Sequence, residues 1–124
     1  MQLIFEKSKE SKKNTSGLSL IKGVCKKLKN NNNLQIRIPH IGWNSLTVMK
    51  ETILLKNIKN NADFYFVHSY YVSPAELKNV IALCNYGIEF PAVVENNNIF
   101  GVQFHPEKCL KNGLSILKQF SLIN

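Results

Sequence analysis

Arginine is nearly absent from this chain, cysteine is scarce and unpaired, and no apolar run is long. Each shortage closes off a class of function. Only Arg37 is an arginine, and the lysines gather at 7–13 and 22–29 beside polar, loop-like sequence. The net charge of +8 therefore reads as solvated lysine faces, and no nucleic-acid partner is expected. Cys25, Cys84 and Cys109 form no CxxC pair and leave an odd count, so neither a disulfide framework nor a zinc site is indicated. No metal or cofactor is expected, and a reducing cytoplasm is the natural compartment. No apolar stretch reaches the roughly 20 residues that cross a bilayer, so no membrane association is expected. The first seven residues lack the basic segment and long apolar core of a signal peptide. Hydrophobic residues at 44% and charged residues at 19% over 124 positions fit one globular domain, residues 1–124, with no repeat and no linker to divide it.

What is present begins with a weak amphipathic helix over 2–9 and a polar loop to residue 16. A β-like run over 17–21 closes at Gly23, and 24–28 extends it or turns. A polar tip follows at 30–33. The alternation of Leu34, Ile36 and Ile38 with Gln35 and Arg37 predicts a half-buried strand, ended by the Pro39–Asn44 cluster. Residues 47–58 read as a short strand or turn, then a helical turn over 54–58. The aromatic, β-branched stretch 63–72 predicts one strand, broken at Ser73-Pro74. Runs at 80–84, 88–94 and 99–104, separated by Asn85-Tyr86-Gly87 and 95–98, predict an antiparallel meander. Leu110, Leu114, Leu117 and Phe120 or Ser121 follow helical spacing, so 110–123 is an amphipathic helix.

The chemistry concentrates in Gly101-Val102-Gln103-Phe104-His105-Pro106-Glu107-Lys108. Pro106 fixes its own φ and biases His105 toward an extended conformation, so no helix runs through this stretch. Residues two apart in an extended segment share a face, which brings His105 and Glu107 together. A carboxylate beside an imidazole fixes its tautomer and stabilises the imidazolium, as a general base requires. A His-x-Glu triplet alone is more often an ordinary surface loop, and the other motifs shift that balance. Among them, His68 reads as a hydrogen-bonded core histidine. Tyr65 and Tyr70 read as packing residues, and Cys25 and Cys84 as small buried hydrophobes. Trp43 is a core anchor or, given its Gly and Pro neighbours, an interface residue in a loop.

Pro39-His40-Ile41-Gly42-Trp43-Asn44, Tyr65-Phe66-Val67-His68-Ser69-Tyr70, Tyr86-Gly87 and the His105 stretch occur in order over most of the chain. Together they resemble the glutaminase subunits of imidazole glycerol phosphate synthase, within the class I glutamine amidotransferases. The resemblance implies an α/β, flavodoxin-like amidotransferase domain that hydrolyses glutamine to glutamate and ammonia in histidine biosynthesis. It implies His105 as general base and Glu107 as its orienting carboxylate, with Gln2, Ser69 and Tyr70 holding substrate glutamine. Trp43 and Asn44 would face the cyclase subunit, a (β/α)₈ barrel that receives the ammonia.

Such enzymes attack through a thiolate in a Gly-x-Cys-Leu-Gly-Met-Gln turn. Met1-Gln2-Leu3 aligns with the end of that turn, so the resemblance puts the nucleophile upstream of residue 1 and implies an incomplete domain lacking its N-terminal strands. Cys109 is a poor substitute, lying past the loop. An incomplete sheet would expose an apolar edge, and the isolated chain is expected to be poorly soluble or partly folded. Two alternatives remain at this level. One is a paralogous amidotransferase feeding a surface-sugar-modifying synthase; the other is a non-catalytic partner-binding remnant.

Overall fold

A computed structural model describes residues 1–10, 15–30 and 35–123. Nine strands and one α-helix form two sheets among these residues. The smaller sheet has the order β2-β1-β3-β6, from β1 (Phe5–Ser8), β2 (Thr15–Ser16), β3 (Ile21–Lys27) and β6 (Tyr70–Pro74). The larger has the order β5-β4-β7-β8-β9, from β4 (His40–Val48), β5 (Asp63–His68), β7 (Val80–Asn85), β8 (Glu89–Asn96) and β9 (Ile99–Val102). Only β1 and β3 pair in parallel. The expected α/β class therefore holds in a strand-heavy form, with a mixed smaller sheet and an antiparallel larger one.

The meander β7-β8-β9 follows the turns read from the sequence. Gly87 takes φ +73° after β7, and Asn97 takes φ +56° in the two-residue β8–β9 connection. Both are residues that enter the left-handed region at low cost. The short 3-10 turn Ile53–Leu55, capped by Thr52, answers to the helical turn expected over 54–58.

Several local expectations change. The helix over 2–9 is instead a 3-10 turn, Gln2–Ile4, followed by β1. The open edge of β3 offers a ladder to Phe5–Ser8, and that pairing buries Phe5 completely while Lys7 stays exposed. The run over 17–21 is strand only from Ile21, where β3 begins. Residues 35–39 form no strand, and Leu34 lies outside the described residues. Their alternation survives as burial: Ile36 and Ile38 are half-buried between exposed Gln35 and Arg37, with side chains supplying the hydrogen bonds. Asn30 Oδ1 accepts from Ile36 N–H, and Tyr86 Oη donates to the Arg37 carbonyl. The Pro39–Asn44 cluster does not end a strand but opens β4, so Trp43 stands in a strand and not in a loop.

The stretch 63–72 is two strands. It breaks at Ser69, β5 staying in the larger sheet and β6 crossing to the smaller one. The core splits accordingly. Phe64, Phe66, Phe90 and Phe104 pack with Leu46 and Ile116 between the large sheet and the helix, whereas Phe5, Ile21, Cys25, Val72 and Val94 fill the small-sheet side.

The helix, α1 (Leu110–Ser121), stands where expected but turns a different face inward. Gly113, Ile116 and Gln119 are buried, while Leu110, Leu114 and Leu117 are exposed. Close approach decides this, because a Cβ on Gly113 would lie 1.8 Å from the Pro106 carbonyl oxygen. Only a glycine lets the helix sit against the turn at Pro106. Among the described residues no helix is long and apolar enough to cross a membrane.

Gly113→Ala gains some helix propensity but overpacks this contact, and a net loss of about 1–3 kcal/mol is expected. Urea unfolding of the two chains at equal pH checks it, and an equal or higher midpoint for the alanine variant contradicts the close-packing account.

Candidate active site

The site forms where β9 runs out and β5 hands over to β6. His105 leaves β9 extended, with φ −98° and ψ 96°, and opens a 3-10 turn, Pro106–Lys108. Two hydrogen bonds tie this turn to β5, and a third closes it on itself. His105 N–H donates to the Tyr65 carbonyl at 2.9 Å. Tyr65 N–H donates to Cys109 Sγ at 3.1 Å, and the Cys109 thiol donates to the His105 carbonyl at 2.9 Å. The backbone under the imidazole is therefore held from both sides.

On that backbone, His105 Nδ1 lies 2.8 Å from Glu107 Oε1. Glu107 accepts from its own backbone N–H and from His105, and both hold its carboxyl below the usual carboxylate range. A carboxylate bound at Nδ1 leaves Nε2 as the nitrogen that exchanges a proton with a reactant.

His105 borders a cleft of about 510 Å³ whose walls include Gln2, Ser69, Tyr70, Gln103 and Glu10. The three expected substrate residues and the expected base thus share one cavity. Gln2 Nε2 donates to the Tyr70 carbonyl at 2.9 Å, fixing the N-terminal segment against the start of β6. Tyr70 Oη makes a long contact to the Glu10 carbonyl at 3.5 Å.

Trp43 and Asn44 are not brought to the same face. Trp43 is 51% exposed and packs edge-on against Tyr65, its β5 partner in register. Ile41 and Val67, also paired, extend this exposed apolar ladder, and Lys108 Nζ lies 5.5 Å above the Tyr65 ring. Asn44 turns to the other side, where Nδ2 donates to the Asn85 carbonyl and approaches His40 Nε2 at 3.4 Å.

His68 is the buried, hydrogen-bonded histidine expected, but it has a partner that periodicity did not point to. His40, 1% exposed, sets Nδ1 at 2.9 Å from His68 Nε2, and His68 Nδ1 lies 2.9 Å from the Tyr70 carbonyl. A carbonyl only accepts, so His68 carries its proton on Nδ1 and accepts from His40 at Nε2. His40 Nε2 is then the acceptor for Asn44. Burial, then the neighbouring His68, pushes His40 down to about 4, and burial lowers His68 as well. Both rings are neutral near pH 7.

None of the three cysteines is an activated nucleophile. Cys25, Cys84 and Cys109 are buried, and burial raises each thiol, Cys84 to about 12. Among the described residues no group of three or more His, Cys, Asp or Glu side chains is gathered to hold a metal ion.

An imidazole hydrogen-bonded to a carboxylate thus stands at the mouth of a cleft lined by Gln2, Ser69 and Tyr70. The family profile "Glutamine amidotransferase class-I" matches residues 1–123. The chain belongs to the class-I glutamine amidotransferase family. Over 120 residues it is 52% identical to the imidazole glycerol phosphate synthase subunit HisH of Caldanaerobacter subterraneus subsp. tengcongensis, covering 97% of this chain and 57% of that protein. The HisH subunit of Methanocaldococcus jannaschii is 47% identical over 97% of this chain and 58% of its own length. That of Bacillus subtilis is 44% identical over 98% and 57%. The chain thus spans 57–58% of the length of these curated relatives. The α/β amidotransferase class expected from the sequence stands with the family.

The histidine pair yields a pH prediction. An unfolded His40 protonates near 6.5, whereas the folded one resists until about 4. Its contribution to stability is therefore complete above pH 6.5 and is lost as the pH falls toward 4. The loss is on the order of 2–3 kcal/mol. Urea unfolding between pH 7.5 and 4.5 should show it, and His40→Phe should flatten the slope. Parallel slopes for the two chains would remove His40 as the cause.

Proposed function

We propose that this chain supplies the acid–base half of a glutaminase, the amidotransferase subunit of imidazole glycerol phosphate synthase. The observation that carries the proposal is the His105–Glu107 pair, with its 2.8 Å contact, on the cleft that also holds Gln2, Ser69 and Tyr70. His105 Nε2 takes the proton of the attacking thiol while Glu107 steadies the imidazolium. The same proton passes to the departing ammonia, and His105 then activates the water that cleaves the thioester. The products are glutamate and ammonia. The environments of Cys25, Cys84 and Cys109 favour a nucleophile other than these three.

Ammonia passes to a cyclase subunit, a (β/α)₈ barrel, for histidine biosynthesis in the cytoplasm. The exposed ladder of Ile41, Trp43, Tyr65 and Val67, which borders the His105 turn, supports that partner surface. Partner binding without catalysis is a second reading, favoured by the same ladder and by the three buried thiols.

The test is glutamine hydrolysis by the complete enzyme together with the cyclase subunit. His105→Ala should lower kcat by about 10²–10⁴, with Glu107→Gln lowering it less and shifting the pH profile. Cyclase binding that survives while wild-type hydrolysis is undetectable would leave only the partner-binding reading.

A further inference from the structure

His68 does more at the cleft than fill the core. It ends β5, is buried, and lies on the wall of the cavity that His105 borders. The next residue, Ser69, is the bend at which the chain leaves the large sheet for the small one, and Tyr70 opens β6. Both line the same cavity. A bend between sheets has no continuous ladder, so its peptide planes keep their orientation only through individual hydrogen bonds. Two carbonyls supply them. Ser69 accepts from Leu28 N–H at 2.8 Å, on the small-sheet side. Tyr70 accepts from His68 Nδ1 and from Gln2 Nε2, each at 2.9 Å.

We propose that His68 is a positioning residue for the substrate, whose Nδ1–H holds the Tyr70 carbonyl and thereby fixes the Ser69–Tyr70 backbone in the conformation that receives glutamine. This rests on the glutaminase reading above, under which Ser69 and Tyr70 border the bound substrate. The imidazole suits the task because it is itself immobile. His40 Nδ1 lies 2.9 Å from its Nε2, and the Phe66 and Phe90 rings pack around it with centroids 5.8 and 4.9 Å away. A ring held by packing and by a second hydrogen bond gives the carbonyl a donor of fixed direction. Gln2 reaches the same carbonyl through a longer side chain, which loses more rotamer freedom when it is held. His105 is anchored separately, its N–H on the Tyr65 carbonyl of β5. Loss of the His68 contact therefore disturbs where glutamine lies and leaves the base in place. The signature of positioning is a rise in KM with kcat preserved.

The test measures glutamine hydrolysis by the complete amidotransferase, assembled with the cyclase subunit, for three substitutions. Asparagine carries its amide nitrogen where imidazole carries Nδ1, so His68→Asn keeps a donor for Tyr70 and gives up the contact with His40. Glutamine reaches the position of Nε2 instead, so His68→Gln keeps the His40 contact and gives up the one with Tyr70. His68→Phe gives up both. KM for glutamine should rise about tenfold in His68→Gln and His68→Phe and stay within about twofold in His68→Asn, with kcat within about threefold throughout. An equal rise in the asparagine and glutamine variants, a rise in neither, or a loss confined to kcat overturns the assignment and makes His68 structural. In that case the KM values follow the melting temperatures of the variants, not the presence of a donor for Tyr70. Should His68→Phe fail to fold, the asparagine and glutamine variants decide. Wild-type enzyme that hydrolyses no glutamine overturns the glutaminase reading beneath the proposal, a result distinct from hydrolysis indifferent to these substitutions.

Discussion

The hydrogen bonds joining Tyr65, His105 and Cys109 are the constraint on which the site depends. A general base works only if its imidazole is held in one place, and a loop cannot hold itself. Here the loop borrows the rigidity of β5: Tyr65 presents its carbonyl to His105 N–H and its own N–H to Cys109, while the Cys109 thiol closes the ring on the His105 carbonyl. The same turn meets α1 through Gly113, so the helix presses from the other side. Two buried faces therefore fix a turn that itself remains partly in solvent. That arrangement leaves His105 accessible without leaving it mobile. It also gives Cys109 a use that needs the protonated thiol, which burial favours.

A second constraint joins the two sheets. Ser69 is where one continuous aromatic stretch changes sheets, and such a change leaves backbone groups without ladder partners. The Tyr70 carbonyl takes hydrogen bonds from Gln2 Nε2 and His68 Nδ1. From His68 the chain of donors continues through His40 to Asn44 and the Asn85 carbonyl. Each member has one consistent protonation, and the sequence of donors ends at β4, the strand whose opposite face carries Trp43. The cleft wall and the outer apolar ladder are thus two faces of one hydrogen-bonded unit.

How much of this was legible beforehand divides along physical lines. His105 and Glu107 could be placed together because Pro106 restricts the backbone locally, and local restrictions survive whatever packs around them. The meander was legible for the same reason, since Gly87 and the asparagines at 96–98 announce their turns. Failures arose where a distant partner decided. Residues 2–9 carry a weak helical pattern, and the open edge of β3 outweighs it. Alternation at 34–38 marks side-chain burial, which a loop can satisfy when Asn30 and Tyr86 serve its backbone. The leucine spacing of α1 is real, yet Gly113 sets the buried face by letting the helix approach Pro106. His40 had no periodic signal at all. Its interest lies in what surrounds it, and a polar residue inside a motif does not reveal whether its hydrogen bonds are met.

Charge placement in the cleft follows from the same geometry. Of the three histidines, His40 and His68 spend their nitrogens on each other, on Asn44 and on the Tyr70 carbonyl, and burial keeps both neutral. His105 alone pairs with a carboxylate and opens on the cavity. A cationic His68 would oppose formation of an imidazolium at His105, because like charges at short range disfavour each other. Keeping the buried pair uncharged therefore does more than stabilise the fold. It leaves an imidazolium at His105 to be balanced by Glu107 without a competing charge behind it, as the general-base role proposed for His105 would require.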